Sequence, residues 1–148
     1  MENQEKTTAR KPGKLIRRIG MVLVAVLCLF GIKMLMGTRT MMYLYARDID
    51  HIEVAVTPPG ATLTATGTDM SSAVTLLSNA VTYGRKEPVA GQAISLTIYN
   101  LDGSVQQVVV SGDYLEIDGR GYRMRLSDGE KIQAWAEALA EAQGVALD

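Results

Sequence analysis

The sequence predicts an N-terminal transmembrane helix followed by a two-layer α+β domain, in which two helices pack on an antiparallel β-meander. Residues 19–36 form an almost uninterrupted apolar run. Beyond residue 48, short stretches alternate apolar with polar side chains between Asp-Gly turns, and two other segments repeat apolar residues at the helical period. A sheet with one apolar face and helices with one apolar stripe each bury these surfaces by packing together.

The net charge of −1 is the sum of a basic N-terminal part and an acidic C-terminal part of the chain. Residues 1–18 carry six Lys/Arg and two Asp/Glu, whereas residues 48–148 carry six Lys/Arg and fourteen Asp/Glu. Binding of nucleic acid needs a concentrated basic face, which this acidic segment lacks. One Cys and one His cannot supply a disulfide framework or a multi-ligand Cys/His metal site. We therefore predict no nucleic-acid partner, no metal and no cofactor.

Residues 15–37 are predicted to form the transmembrane helix. A helix over the apolar run would extend roughly 27 Å, close to the hydrocarbon thickness of about 30 Å, and buried helices of soluble proteins are rarely apolar all round over such a length. Basic residues crowd the N-terminal flank, and flanks of that kind stay in the cytoplasm. The prediction is a disordered cytoplasmic tail over residues 1–14, a single-pass span in the cell membrane, and an extracellular C-terminal domain.

The span is predicted to be retained as a signal anchor. Its apolar run is longer than the usual signal-peptide core of about 7 to 15 residues, and Leu44-Tyr45-Ala46 is a poor cleavage site. Lys33 lies near the outer end, where its ammonium group can reach the headgroups. Residues 38–47 are predicted as a juxtamembrane linker, and residues 48–148 as the extracytoplasmic domain.

The first half of the domain is predicted to contain a strand and then a helix. Apolar residues alternate over residues 49–56, and Pro58-Pro59 ends that strand because proline lacks the N–H that a sheet ladder needs. Residues 61–68 alternate threonine with apolar residues, which indicates an edge strand or an extended loop. Residues 69–83 follow the helical period, with Gly84 as the predicted stop.

The second half of the domain is predicted to be a meander followed by a terminal helix. Three or four strands are expected between residues 94 and 126, because Asp-Gly or Gly-Asp pairs interrupt the alternating pattern there. Ser127 and Glu130 have the spacing of a capping box, and apolar residues at the helical period follow them. The last helix is expected to end at Gly144.

This layout resembles the YhfM-like domain of Bacillus and other Firmicutes. The resemblance rests on the hairpin at Asp102-Gly103, on Asp118-Gly119 followed by Tyr122-Arg123-Met124, and on the Ser-capped terminal helix. It covers the last two-thirds of the chain, in layout and turn residues. It implies an extracytoplasmic location in a Gram-positive bacterium, and it implies no catalytic residues because that family has no assigned activity. Unlike the lipoprotein members, this chain has no usable lipobox.

The sequence contains no constellation that predicts catalysis. His51 and Glu53 would share one face of a strand, but a metal site needs further ligands. The alternative of a cell-envelope hydrolase would use Glu116 or Asp118, yet carboxylates at strand ends and turns are ordinary structural features. We therefore predict that the protein is not an enzyme.

The predicted function is binding by an anchored extracytoplasmic domain. Tyr and Arg are favoured at interfaces, and the candidate residues are those expected along the outward face and edge of the meander: Tyr99, Tyr114, Arg120, Arg123 and Arg125. Solvated ion pairs between arginine and glutamate across the strands are the plainer alternative. The expected partners are the lipid bilayer and a protein or cell-envelope component outside the membrane. The competing role is that of a subunit or cap of a larger membrane assembly.

Overall fold

The computed structural model describes residues 12–147, which belong to two compact units that divide between Met36 and Gly37. The first unit contains helix α1, Pro12–Met36. Its most apolar window has a mean hydropathy of 2.5 with no buried residue, so α1 is long and apolar enough to cross a membrane. Residues 12–14 were predicted as tail but form the first helical turn, where proline is well tolerated. The rest of the predicted tail, residues 1–11, lies outside the described residues.

The second unit is an α+β domain, as predicted. Within residues 37–147 its strands are β1 Ile49–Thr57, β2 Ala61–Ala65, β3 Thr82–Arg85, β4 Ala93–Asn100, β5 Val105–Ser111, β6 Tyr114–Ile117 and β7 Arg120–Met124, and its helices are α2 Gly67–Asn79 and α3 Leu126–Ala142. The strands form one sheet in the order β2-β1-β4-β5-β6-β7-β3, and all neighbours are antiparallel. The meander β4 to β7 is confirmed, and the segment after Gly60 is an edge strand.

The core lies on one face of this sheet. Alternate residues of the central strands, such as Val54, Leu96 and Val108, are fully buried and form one cluster with Leu77 of α2 and Ile132 of α3. Their neighbours along each strand point to the opposite face, where the side chains of β1, β4 and β5 are half-buried or exposed. Both helices of the domain therefore cover the inner face, and the other face, here called the open face, stays uncovered by them.

The chain after α2 differs from the prediction. The predicted helix over residues 69–83 ends at Asn79, and the next residues form β3 at the edge of the sheet, where Gly84 pairs with Arg123. The N–H of Val81 donates to the Asp128 carboxylate, with 3.0 Å between nitrogen and oxygen. This hydrogen bond to Asp128, which is distant in sequence, outweighs the local helical pattern, because a buried N–H must find an acceptor.

The predicted capping box at Ser127 and Glu130 is wrong. Helix α3 begins at Leu126, two residues before the start that a Ser127 cap implies, with Arg125 at the N-cap position and no side-chain cap bond. In the first turn of α3, the Asp128 carboxylate accepts a hydrogen bond from the backbone N–H of Val81. The start of α3 is therefore tied to the start of β3.

The predicted linker, residues 38–47, is folded onto the domain. Thr38 exchanges two backbone hydrogen bonds with Thr82 of β3, at 2.7 and 2.8 Å, and the Thr40 and Thr82 hydroxyls lie 2.5 Å apart. Met41 is buried in the core. We call residues 37–48 the entry segment, since the chain enters the domain through them. The segment is an integral part of the domain.

Candidate functional site

The open face carries two polar clusters at opposite ends of the sheet. Tyr99 is opposite Val105 at the start of β5, whereas Tyr114 is opposite Ser111 at its end. Six residues of strand separate these positions, which corresponds to roughly 20 Å. The two tyrosines of the predicted site thus belong to different clusters.

The first cluster surrounds Tyr99. The His51 and Tyr99 rings are stacked with their centroids 4.5 Å apart, and the Tyr99 hydroxyl donates to the Glu53 carboxylate at 3.1 Å. This hydrogen bond, with some burial, raises the pKa of Tyr99. His51 Nδ1 lies 2.7 Å from a carboxylate oxygen of Asp50. His51, the sole histidine of the chain, thus contacts both the Tyr99 ring and the Asp50 carboxylate.

The second cluster surrounds a cleft of about 220 Å³. The loop after β3 forms one wall with residues 85–88, and the other wall consists of Tyr114, Glu116, Arg120 and Gly121 from β6 and β7. Arginines and glutamates face the same space, so the cleft offers both hydrogen-bond donors and carboxylate acceptors.

Tyr114 forms the base of this cleft. It is only 3% exposed although it points to the open face, and its hydroxyl donates to the Glu116 carboxylate at 2.6 Å. Burial, together with this bond, raises the pKa of Tyr114 to about 12. The hydroxyl therefore stays protonated near neutral pH and donates to a carboxylate, which fixes the direction of the hydrogen bond.

An ion pair holds the loop against the sheet. The Lys86 ammonium donates to the Asp113 carboxylate, and the Arg123 guanidinium lies 3.9 Å from the other oxygen of that carboxylate. The bond from Lys86 lowers the pKa of Asp113. The Lys86 N–H also donates to the Gly121 carbonyl at 3.2 Å.

Gly121 allows the loop to approach this closely. A Cβ atom at this position would overlap the Lys86 carbonyl oxygen and would lie 2.7 Å from the Tyr114 hydroxyl. Real Cβ atoms essentially never approach a heavy atom this closely. The absence of a side chain at Gly121 thus lets the loop cover Tyr114 and shape the cleft.

The predicted site residues separate into three places. Tyr114 and Arg120 line the cleft, and Arg123 lies beside it through its contact with Asp113. Tyr99 belongs to the cluster at the other end of the sheet. Arg125 is exposed and lies one residue past the end of β7, at the N-cap position of α3.

Sequence reasoning missed Lys86, Glu87 and Asp113. The first two lie in the charged run Arg85-Lys86-Glu87, which reads as an ordinary polar loop. Asp113 belongs to a Gly-Asp turn, where aspartate is common, so the sequence gives no reason to assign its carboxylate to a binding site. No local signal brings these residues together, since their contact depends on β3 pairing with β7.

The carboxylates considered for hydrolysis have structural partners. Glu116 accepts from Tyr114, while Asp118 accepts the Gln107 N–H at 2.9 Å in a turn with a positive φ. Within residues 12–147 no group of three or more His, Cys, Asp or Glu side chains is arranged to hold a metal ion.

No protein-family model, curated protein or solved structure matches the chain.

Proposed function

We propose that the protein is a single-pass, membrane-anchored binding domain that holds a protein or cell-envelope component outside the membrane in the cleft between the Arg85–Pro88 loop and β6–β7. The observation that carries this proposal is the preformed cleft itself, with its base at Tyr114 and Arg120 in its wall. A ligand with charged groups of both signs would meet partners at Arg120 and Glu116. Polar groups that converge on one cleft fix the orientation of what binds there.

The proposed role is non-catalytic. Glu116 and Tyr114 already satisfy one another, and the one histidine belongs to the other cluster, roughly 20 Å away along the strands. Nucleophilic or acid–base catalysis needs a base within hydrogen-bond reach of the group that it activates. Glu116 and Arg120 would instead supply contacts that orient the partner.

The anchor and its orientation form part of the proposal. Helix α1 is compatible with a membrane anchor by length and composition, and the basic flank supports a cytoplasmic N-terminus. The resemblance to YhfM-like domains points to the same extracytoplasmic location. A chain with Cys28→Ala and Arg120→Cys tests this, because a membrane-impermeant maleimide should label it on intact cells. Labelling only after cell lysis would contradict the orientation.

The binding site is tested by photo-crosslinking in intact cells. A photoreactive amino acid replaces Arg120 in one strain and, as a control, the exposed Lys131 of α3 in another. Capture of a defined partner at position 120 and not at position 131 is expected. An Arg123→Glu variant should weaken the capture at position 120, because it alters the charge beside the cleft. Equal adducts at both positions would refute the cleft as the binding site.

A further inference from the structure

Exposed apolar side chains gather on the entry segment and at the tip of the β4–β5 hairpin. Met42, Tyr43 and Tyr45 are 50%, 74% and 47% exposed, and Leu101 of the hairpin is 66% exposed. Single exposed apolar residues are ordinary on soluble domains, but a cluster of large ones usually marks a contact surface.

Backbone hydrogen bonds join the two parts of this surface. The Asp48 N–H donates to the Tyr45 carbonyl at 3.0 Å, and the Leu101 N–H donates to the Asp48 carbonyl at 2.9 Å. The Arg47 guanidinium lies 5.1 Å from the centre of the Tyr45 ring. The hairpin tip is thus fixed beside the turn that contains Tyr45, and the two form one edge of the domain.

The position of this edge in the chain indicates what it contacts. Tyr43 follows the last residue of α1, Met36, by seven residues, so its Cα lies at most about 25 Å from the end of that helix. The segment cannot swing free of the domain, because Thr38 is bonded to Thr82 and Met41 is buried. If α1 spans a bilayer, this apolar edge is held near its surface.

We propose that Met42, Tyr43, Tyr45 and Leu101 form a membrane-docking surface that lies in the headgroup layer of the bilayer that α1 spans. This inference rests on the anchoring role of α1 but is independent of the cleft. Tyrosine suits that layer because its ring is apolar and its hydroxyl is polar. The Arg47 guanidinium, which lies over the Tyr45 ring, can contact lipid phosphates from there.

The full chain in nanodiscs tests the surface, with one protein copy per disc and a mixture of phosphatidylglycerol and phosphatidylethanolamine. Single spin labels are attached to Leu101→Cys, to Leu126→Cys as the matched control at the start of α3, and to Leu23→Cys inside α1, all in a Cys28→Ala background. For each spin label, the accessibility to molecular oxygen is then compared with the accessibility to a water-soluble nickel chelate. We expect the label at position 101 to favour oxygen severalfold over the label at position 126, and the label at position 23 to favour it most.

The outcomes separate the two proposals. Lipid exposure at position 23 with equal, aqueous values at positions 101 and 126 would refute docking and leave the anchor intact. An aqueous value at position 23 would refute the anchor and docking with it. Tyr43→Ser combined with Tyr45→Ser should return the label at position 101 toward the aqueous value; no change on this substitution would contradict the surface as defined. Far-ultraviolet circular dichroism checks that this variant is folded.

Discussion

Replacing Gly37 by alanine tests whether the entry segment is packed on the domain. Gly37 has a φ of +68°, and a Cβ atom there would overlap Val81 Cγ1 and lie 2.8 Å from the Thr82 carbonyl oxygen. The left-handed conformation costs an alanine about 1–2 kcal/mol. Forcing an extra methyl group against packed atoms adds about 1–3 kcal/mol, so the free energy of unfolding should fall by about 2–5 kcal/mol.

Gly103 supplies the control. Its φ is +84°, but a Cβ atom there meets nothing within 4 Å, so Gly103→Ala should show the conformational cost alone. Urea unfolding of the full chain in detergent micelles can be followed by the fluorescence of Trp135, the only tryptophan. Equal losses of stability in the two variants would refute the packing of the entry segment.

Three other changes test contacts within the domain. Gly129→Ala should lower the free energy of unfolding by about 1–3 kcal/mol in urea titrations, although alanine favours helices, because its Cβ would overlap the backbone carbonyl of the β5–β6 turn. Asp128→Ala should cost about 1–3 kcal/mol by the same assay, since the Val81 N–H loses its acceptor; Asp128→Asn should retain most of the stability. Lys86→Met should destabilise the domain above about pH 4, because the ion pair that it removes requires the ionised Asp113 carboxylate. The destabilisation should disappear as the pH falls through the lowered pKa of Asp113, and a loss of stability that stays constant across pH in urea titrations would contradict this role.

The α+β fold is predictable because its signals are local. Alternation along β1 and β4 identifies the buried face, and the turns at Asp102-Gly103 and Asp118-Gly119 identify the reversals between strands. Strand β3 is not predictable in this way. It has four residues, it includes Gly84, and it follows a helical pattern without an evident break. Its conformation depends on β7, about forty residues away in the chain.

The candidate site is predictable only in part. Residue type and strand position predict that Tyr114 and Arg123 lie on one face of the meander, and the sheet register makes these two residues cross-strand partners. The sequence does not reveal that Tyr114 is covered, because its cover is a loop whose position depends on Gly121 and on the ion pair of Lys86 with Asp113. The burial of an aromatic residue on an otherwise open sheet face thus depends on tertiary contacts that no local pattern encodes.

Strand β3 physically joins the entry segment to the cleft. At its start, Thr82 is bonded to Thr38 on one side and is opposite Met124 of β7 on the other. At its end, the chain passes directly into Lys86, which forms the wall of the cleft and the ion pair with Asp113. A strand of four residues has few ladder bonds of its own, so its placement depends on both neighbours. The entry segment is therefore a structural support of the proposed binding site.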